Sequence, residues 1–147
     1  KKDPYLENFE NKINIAHEII TGLKILHDQQ RIHGNLKSSN VLFDEFHHSK
    51  LSDLIYLYSQ SNGDSNCYMA PEILAENKQY SNKSDIYSYG VIVLELFANR
   101  KIITKEKINE ACKKLPENLN SVIFDCFSSD PSQRPDSNDI LRRLEKI

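Results

Sequence analysis

The sequence lacks the features that mark membrane-spanning and nucleic-acid-binding proteins. Within its 147 residues, no apolar run approaches the roughly 20 residues that a helix needs to cross a bilayer. The formal net charge of −2 leaves no basic surplus to attract nucleic acid or an anionic membrane surface. We therefore expect neither a membrane nor a nucleic acid as partner.

Cysteine is also scarce, and its spacing indicates neither a disulfide framework nor a zinc site. The three cysteines, Cys67, Cys112 and Cys126, are odd in number and form no C-x-x-C pair. The first ten residues are polar and lack the apolar stretch of a secretory signal. We expect reduced thiols and a cytoplasmic location.

The residues that are present suit one compact domain, since 39% of them are apolar. Residues 14–27 predict an amphipathic helix, because Ile15, Ile19 and Leu23 recur at helical spacing. Two short extended runs, Val41–Phe43 and Lys50–Ser52, are separated by a polar stretch. This pattern predicts a small β-hairpin.

The second half of the chain is predicted to be helical. Residues Ser84–Phe97 are apolar on nearly every side, which predicts a helix that is buried all round. Two further helices are expected near Lys105–Lys114 and Glu117–Phe127, and a last amphipathic helix begins after a cap at Asp136 or Ser137. We therefore expect a mainly α fold with one small β-hairpin.

Five short polar motifs follow one another along the chain. They are HGNLKSSN at 33–40, DLI at 53–55, APE at 70–72, KSDIYSYG at 83–90 and DPSQRP at 130–135. Each is weak alone, but their order is hard to explain by chance. Together they resemble the protein kinase catalytic loop, its D-F-G and A-P-E motifs, its buried-helix signature and its late arginine motif.

The resemblance covers the chain from about Leu6 to Ile147 and is closest to the tyrosine-kinase-like branch. That branch includes plant receptor-like kinases, the mixed lineage kinase domain-like pseudokinase and the kinase-homology region of receptor guanylyl cyclases. The resemblance implies one kinase-like C-terminal lobe over residues 1–147. Within it we expect a catalytic loop at 33–40, an activation segment at 53–72 and a buried central helix at about 84–97.

Asn35 stands where the family has its catalytic aspartate, which accepts or orients the proton of the attacking hydroxyl. An amide is neutral and its nitrogen donates, whereas general-base assistance contributes about 10²–10⁴ in rate. Lys37 still matches the family lysine near the transferred phosphate. The resemblance therefore implies a degenerate site without a catalytic residue, and we expect no enzyme activity.

Two further departures point the same way. The chain has four glycines and no G-x-G, so the N-terminal lobe, with its glycine-rich loop and phosphate-anchoring lysine, is expected to be absent from this chain. Gly34 replaces the arginine that in many kinases reads a phosphate on the activation segment. We do not expect control of that kind through Tyr56, Tyr58 or Ser65.

Asn40 and Asp53 match the two metal-holding positions of the family. One interpretation is vestigial binding of Mg²⁺-ATP, and the other is that both residues merely shape their loops. We favour the second and expect no cofactor, because one carboxylate and one amide hold Mg²⁺ only with additional phosphate ligands.

Other matches concern the fold more than the chemistry. The resemblance assigns structural roles to a stacked hydrophobic spine, a buried ion pair and a carboxylate that binds the catalytic-loop backbone. The spine residues are His33 and Leu54, and the ion pair is formed by Glu72 and Arg134. The carboxylate that binds the loop backbone is Asp85. Tyr68 precedes a segment that in the family shapes a substrate-docking shelf.

Several polar residues outside these motifs are expected at the surface. His17 and His27 should lie on the surface of the first helix or at its end, and His47 and His48 in a solvated hairpin turn. Residues 101–114 mix lysine with glutamate, which is typical of a solvated helix face.

The sequence thus favours a pseudokinase that binds a protein partner as a decoy or scaffold in kinase signalling. The partner is expected to be a kinase or a component of its pathway, and the surface around Leu42, Phe43 and the N-terminal segment is the candidate interface. The alternatives are a C-terminal kinase fragment with weak phosphotransfer, or a sensor that binds Mg²⁺-ATP without turnover. The oligomeric state stays open.

Overall fold

The computed structural model of the chain describes residues 3–54, 67–75, 80–102 and 104–147. The candidate phosphorylation sites Tyr56, Tyr58 and Ser65 lie outside these residues. The described part is mostly helical and contains one two-stranded antiparallel sheet, so the expectation of a mainly α fold with a small hairpin is confirmed.

The first helix, α1, spans Phe9–Asp28. It begins where the side chain of Asn8 accepts a hydrogen bond from the backbone N–H of Asn11 at 3.1 Å. The helix is longer than the predicted 14–27. The prediction started late because it depended on the apolar repeat, and the first turn of the helix is mostly polar. Its apolar face, which includes Ile15 and Ile19, is fully buried.

Strands β1, Val41–Phe43, and β2, Ser49–Leu51, pair with Val41 opposite Leu51. The second strand begins one residue before the predicted Lys50–Ser52. The reason is the register of the hairpin, in which Ser49 lies opposite Phe43. Ser49 also contacts α1, because its backbone N–H and its hydroxyl both donate to the carboxylate of Glu18, at 2.6 and 2.8 Å. A partner 31 residues away leaves no trace in the local pattern.

A four-residue helix, α2, spans Pro71–Leu74, and the central helix, α3, spans Asn82–Ala98. A reciprocal capping box between Ser81 and Ser84 starts α3. Asn99 ends it in a left-handed conformation with a φ of 51°. Every residue from Ser84 to Glu95 is buried, in keeping with the apolar pattern on all sides of this helix.

Three shorter helices complete the chain. Helix α4 spans Lys105–Cys112, α5 spans Glu117–Asp125 and α6 spans Ser137–Leu144. Both α4 and α5 end two residues before their predicted ends, in tighter turns. Of the two predicted caps of α6, Asp136 is the one used, since its carboxylate accepts from the N–H of Asp139 at 2.8 Å.

Helix α3 is the centre of the arrangement. Helices α1, α4 and α5 pack against it, as does the short turn Pro131–Gln133, while α6 packs against α1 and α5. Within the described ranges, no helix is both long and apolar enough to cross a membrane.

Candidate functional site

The loop at 33–40 is attached to the core through Asp85 in the first turn of α3. The Asp85 carboxylate is 1% exposed and accepts the backbone N–H groups of His33 at 2.7 Å and Gly34 at 2.8 Å. Gly34 has a φ of 70°, which glycine adopts without strain and arginine does not. The loop that carries Asn35 is thus fixed to the buried helix by its backbone.

His27 belongs to the same contact. It lies in the last turn of α1, which fits the expected position at the helix end, but it is not at the surface. Its Nε2 lies 3.0 Å from Oδ2 of Asp85, and its side chain is only 6% exposed. The last turn of α1 lies against the start of α3, so His27 supplies a third partner for the buried carboxylate. The two residues are 58 positions apart, and no local sequence signal predicts the pair.

The two residues assigned to a hydrophobic spine differ in burial. His33 is 0% exposed, and burial lowers the pKa of its imidazole. Leu54, by contrast, is 44% exposed, so the described residues do not enclose it as a spine would. It follows Asp53, whose φ of 55° turns the backbone at the surface.

Asn35 takes part in a closed path made of three hydrogen bonds and one peptide bond. Its Nδ2 donates to the backbone carbonyl of Asp53 at 3.2 Å, and Nδ2 of Asn40 donates to the carbonyl of Asn35 at 2.8 Å. The N–H of Ser52 donates to the carbonyl of Asn40 at 2.9 Å, and the peptide bond between Ser52 and Asp53 closes the path. We call these four residues the amide ring.

The amide ring determines what the site offers chemically. The nitrogen of the Asn35 side chain faces a carbonyl oxygen, so this side chain acts as a donor where general-base catalysis needs an anionic acceptor. Lys37 lies in the same loop, and its carbonyl accepts the N–H of Asn40 at 2.9 Å. At position 35 the loop thus presents a hydrogen-bond donor toward Asp53.

The fit to Mg²⁺ is partial. Asp53 is exposed and its carboxylate accepts the hydroxyl of Ser52 at 3.3 Å, whereas Asn40 is 5% exposed and its amide nitrogen is used in the amide ring. In the part of the chain that the structure describes, no three His, Cys, Asp or Glu side chains converge. Asp53 and Asn40 would therefore need nucleotide phosphates to complete a magnesium site.

Arg134 and Glu72 form a bidentate ion pair. The two guanidinium nitrogens lie 2.6 and 2.8 Å from the carboxylate oxygens, and the Arg134 side chain is 0% exposed. The same guanidinium donates to the carbonyls of Ser128 at 2.9 Å and Lys83 at 2.8 Å. The pair joins the start of α2 to the segment before α6.

A second polar cluster, formed by Ser38, Tyr68, Glu95 and Lys101, was missed by sequence reasoning. The hydroxyl of Tyr68 donates to the carboxylate of Glu95 at 2.6 Å, and Nζ of Lys101 lies 3.2 Å from that hydroxyl and also contacts Ser38. Burial and the hydrogen bond to Glu95 raise the pKa of Tyr68. Lys101 therefore contributes to an ion-pair cluster as well as facing solvent, and Tyr68 is only 6% exposed.

A mostly apolar groove of about 370 Å³ lies beside this cluster. The turn Pro4–Glu7 forms one wall, and β1 and the C-terminal half of α3 form the others. Apolar side chains that line it include Leu6, Ile15, Val41, Phe43, Ile92 and Leu96. The groove therefore opens at the surface where the sequence predicts an interface.

Comparison with known proteins gives a family for this arrangement. The family model described as the protein kinase domain matches residues 3–144. The serine/threonine/tyrosine-protein kinase HT1 of Arabidopsis thaliana is 31% identical over 99% of this chain, and a mitogen-activated protein kinase kinase kinase of Aspergillus fumigatus is 34% identical over 92%.

A probable inactive receptor kinase of Arabidopsis thaliana is 32% identical over 95% of the chain. The chain spans 42% of the length of HT1, 10% of the Aspergillus protein and 27% of the receptor kinase. The similarity thus concerns a part of each relative that is less than half of its length.

Proposed function

Because this chain belongs to the protein kinase domain family, we propose that it is a catalytically inactive member, a pseudokinase. In this proposal it forms a C-terminal lobe of the tyrosine-kinase-like branch and acts in the cytoplasm as a protein-binding, decoy or scaffold module. Its partner is a kinase or a component of a kinase pathway.

One observation carries the proposal of inactivity: the side chain of Asn35 donates to the carbonyl of Asp53. A phosphotransferase needs an anionic acceptor at this place for the proton of the attacking hydroxyl, and a neutral amide whose nitrogen is turned toward a carbonyl is not a general base. One similar protein is named a probable inactive receptor kinase, and this name describes that protein and not this chain.

The residues that hold the fold give further support. Arg134 and Glu72 are paired, and Asp85 binds the catalytic-loop backbone. These contacts preserve the shape of the domain without supplying a proton acceptor. A domain that keeps its fold but lacks the proton acceptor can still bind a protein partner.

A phosphotransfer assay tests the inactivity. The purified chain is incubated with radiolabelled Mg²⁺-ATP and general protein acceptors, beside an Asp53→Ala variant. We expect no transfer above that of the variant. Transfer at an ordinary kinase rate of about 1–100 s⁻¹, lost in Asp53→Ala, would overturn the proposal.

The candidate interface is the apolar surface of β1 next to the groove. Leu42 is 53% exposed and Phe43 is 46% exposed, and Phe43 also lines the groove. Neighbouring exposed apolar side chains beside a concave surface are typical of protein interaction sites. We propose that the partner binds here.

A pull-down with matched variants tests this surface. Leu42→Ser and Phe43→Ser should lose a kinase, or a pathway component, that the wild-type chain captures. Ile25→Ser and Phe124→Ser are the controls, because these side chains are 56% and 57% exposed on α1 and α5. Equal capture by all variants would exclude β1 as the interface.

The alternative is a kinase fragment with weak phosphotransfer or nucleotide binding. It is favoured by the presence of Lys37, Asn40 and Asp53 at the family positions and by relatives named as kinases. A thermal-shift titration with millimolar Mg²⁺-ATP separates the two. A rise in Tm that disappears in Asp53→Ala would favour the alternative, and an unchanged Tm would exclude nucleotide binding.

A further inference from the structure

We propose that Asn35 is a positioning residue whose amide donor holds the backbone of Asp53, so that an aspartate in its place would loosen the site. The replacement of the catalytic carboxylate by an amide then also gives the site a hydrogen-bond donor. This inference does not depend on whether the domain binds a protein partner.

The direction of the hydrogen bond is unambiguous. A backbone carbonyl only accepts, so at 3.2 Å the Asn35 atom that faces Asp53 must be the amide nitrogen. An aspartate has the same shape but, when ionised, only acceptor atoms. In the rotamer that Asn35 adopts, it would place an anionic oxygen next to the carbonyl oxygen of Asp53.

The backbone that Asn35 holds is in an unusual conformation. Asp53 has a φ of 55°, and residues other than glycine persist in this region only where their surroundings support it. The hydrogen bond from Asn35 acts on the carbonyl of that residue. It therefore restrains the peptide group that follows the unusual torsion.

The other contacts of the amide ring connect this restraint to the loop at 33–40 and to Ser52. Asn40 ties the backbone of Asn35, and Ser52 ties the backbone of Asn40, so the loop at 33–40 and the residues before Asp53 form one closed path. Of its links, the one from the Asn35 side chain is the one that an aspartate cannot make. Asn35 and Asp53 are consequently matched to each other.

Amide hydrogen exchange of the Ser52 N–H measures the integrity of the amide ring, since that N–H donates within it. In Asn35→Asp we expect its exchange to be about three- to ten-fold faster, the loss that one hydrogen bond of ordinary strength would give. Exchange in α3 should stay at the wild-type rate, because the effect is local.

Two further variants make the result specific. Asn8→Asp adds the same charge at a helix cap, where the side chain accepts from Asn11 and aspartate does so equally well; Ser52 exchange should not change. Asn35→Ala removes the donor without adding charge, so it should accelerate Ser52 exchange less than Asn35→Asp and gives the measurement if the aspartate variant fails to fold. Unchanged Ser52 exchange in both Asn35 variants, or equal acceleration in α3, would overturn the proposal.

Discussion

At the scale of single residues, removal of the buried guanidinium of Arg134 should be strongly destabilising. This guanidinium is fully buried and donates to Glu72 and to the carbonyls of Ser128 and Lys83. Arg134→Met should lower the free energy of unfolding by about 3–5 kcal/mol, because Glu72 would lose its charge partner. Urea denaturation followed by circular dichroism measures the loss.

Arg142→Met is the matched control for this prediction. The Arg142 side chain is 72% exposed and lies 3.4 Å from Asp139 within the same helix. Exposed pairs contribute little, so we expect a change within about 0.5 kcal/mol. Similar losses in the two variants would show that the burial of Arg134 does not matter.

His33 should make the stability depend on pH. Burial lowers the pKa of its imidazole in the folded protein, while an unfolded chain has the ordinary pKa of about 6.5. As the pH falls through that value, the unfolded chain gains a proton that folded His33 does not. Stability is thereby lost, until the pH also reaches the lower folded pKa.

The measurement compares urea unfolding at pH 7 and pH 5. The wild-type protein should lose more stability over this interval than His33→Asn, whose amide does not titrate. An identical pH dependence in wild type and His33→Asn would contradict the prediction.

At the scale of secondary structure elements, the packing of α3 limits which residues its interior positions accept. A Cβ atom added at Gly90 would lie 2.8 Å from Cζ of Phe127 and 3.0 Å from Cβ of Cys126. Gly90→Ala should therefore lower the unfolding free energy. The overpacking costs about 1–3 kcal/mol and exceeds the gain in helix propensity of about 1 kcal/mol.

Gly22→Ala in α1 provides the comparison. There the added Cβ would meet Cδ1 of Leu51 at 3.1 Å, and this atom is the mobile end of a side chain. The gain in helix propensity should then largely offset the crowding, so the Tm should change little. A larger loss for Gly22→Ala than for Gly90→Ala in calorimetry would refute this argument.

The ends of the helices show how far local sequence reaches at this scale. The apolar repeat of α1 and the nearly continuous apolar stretch of α3 predicted where these helices lie, because both patterns are local properties of the chain. The first residue of α1 depends on the cap at Asn8, and the start of β2 depends on the register that places Ser49 opposite Phe43. Ends set by such single contacts and pairings are harder to predict than the body of an element.

At the scale of the whole molecule, the alkylation rates of the three cysteine thiols measure how the folded protein opens. Burial raises the pKa of all three: Cys112 to about 11, Cys126 still further, and half-buried Cys67 above its usual value. With iodoacetamide at pH 8, Cys67 should react first, since it is the most accessible.

Cys126 should react only as fast as the folded protein unfolds, because it is 0% exposed beneath α3. In a Cys67→Ser variant, mass spectrometry would follow Cys112 and Cys126 separately. Both should become reactive together when urea unfolds the domain. Rapid alkylation of Cys126 in native buffer would show that α5 opens independently of the core.

The order of motifs in the sequence determined the family and the main architecture, because motif spacing and apolar repeats are properties of neighbouring residues. It also identified Asn35 as the residue that departs most from the family pattern. The tertiary structure decided which groups meet: His27 with Asp85, Lys101 with Tyr68 and Glu95, and the amide of Asn35 with the carbonyl of Asp53. Hydrogen bonds between distant residues depend on the path of the whole chain, and a local pattern does not contain that path.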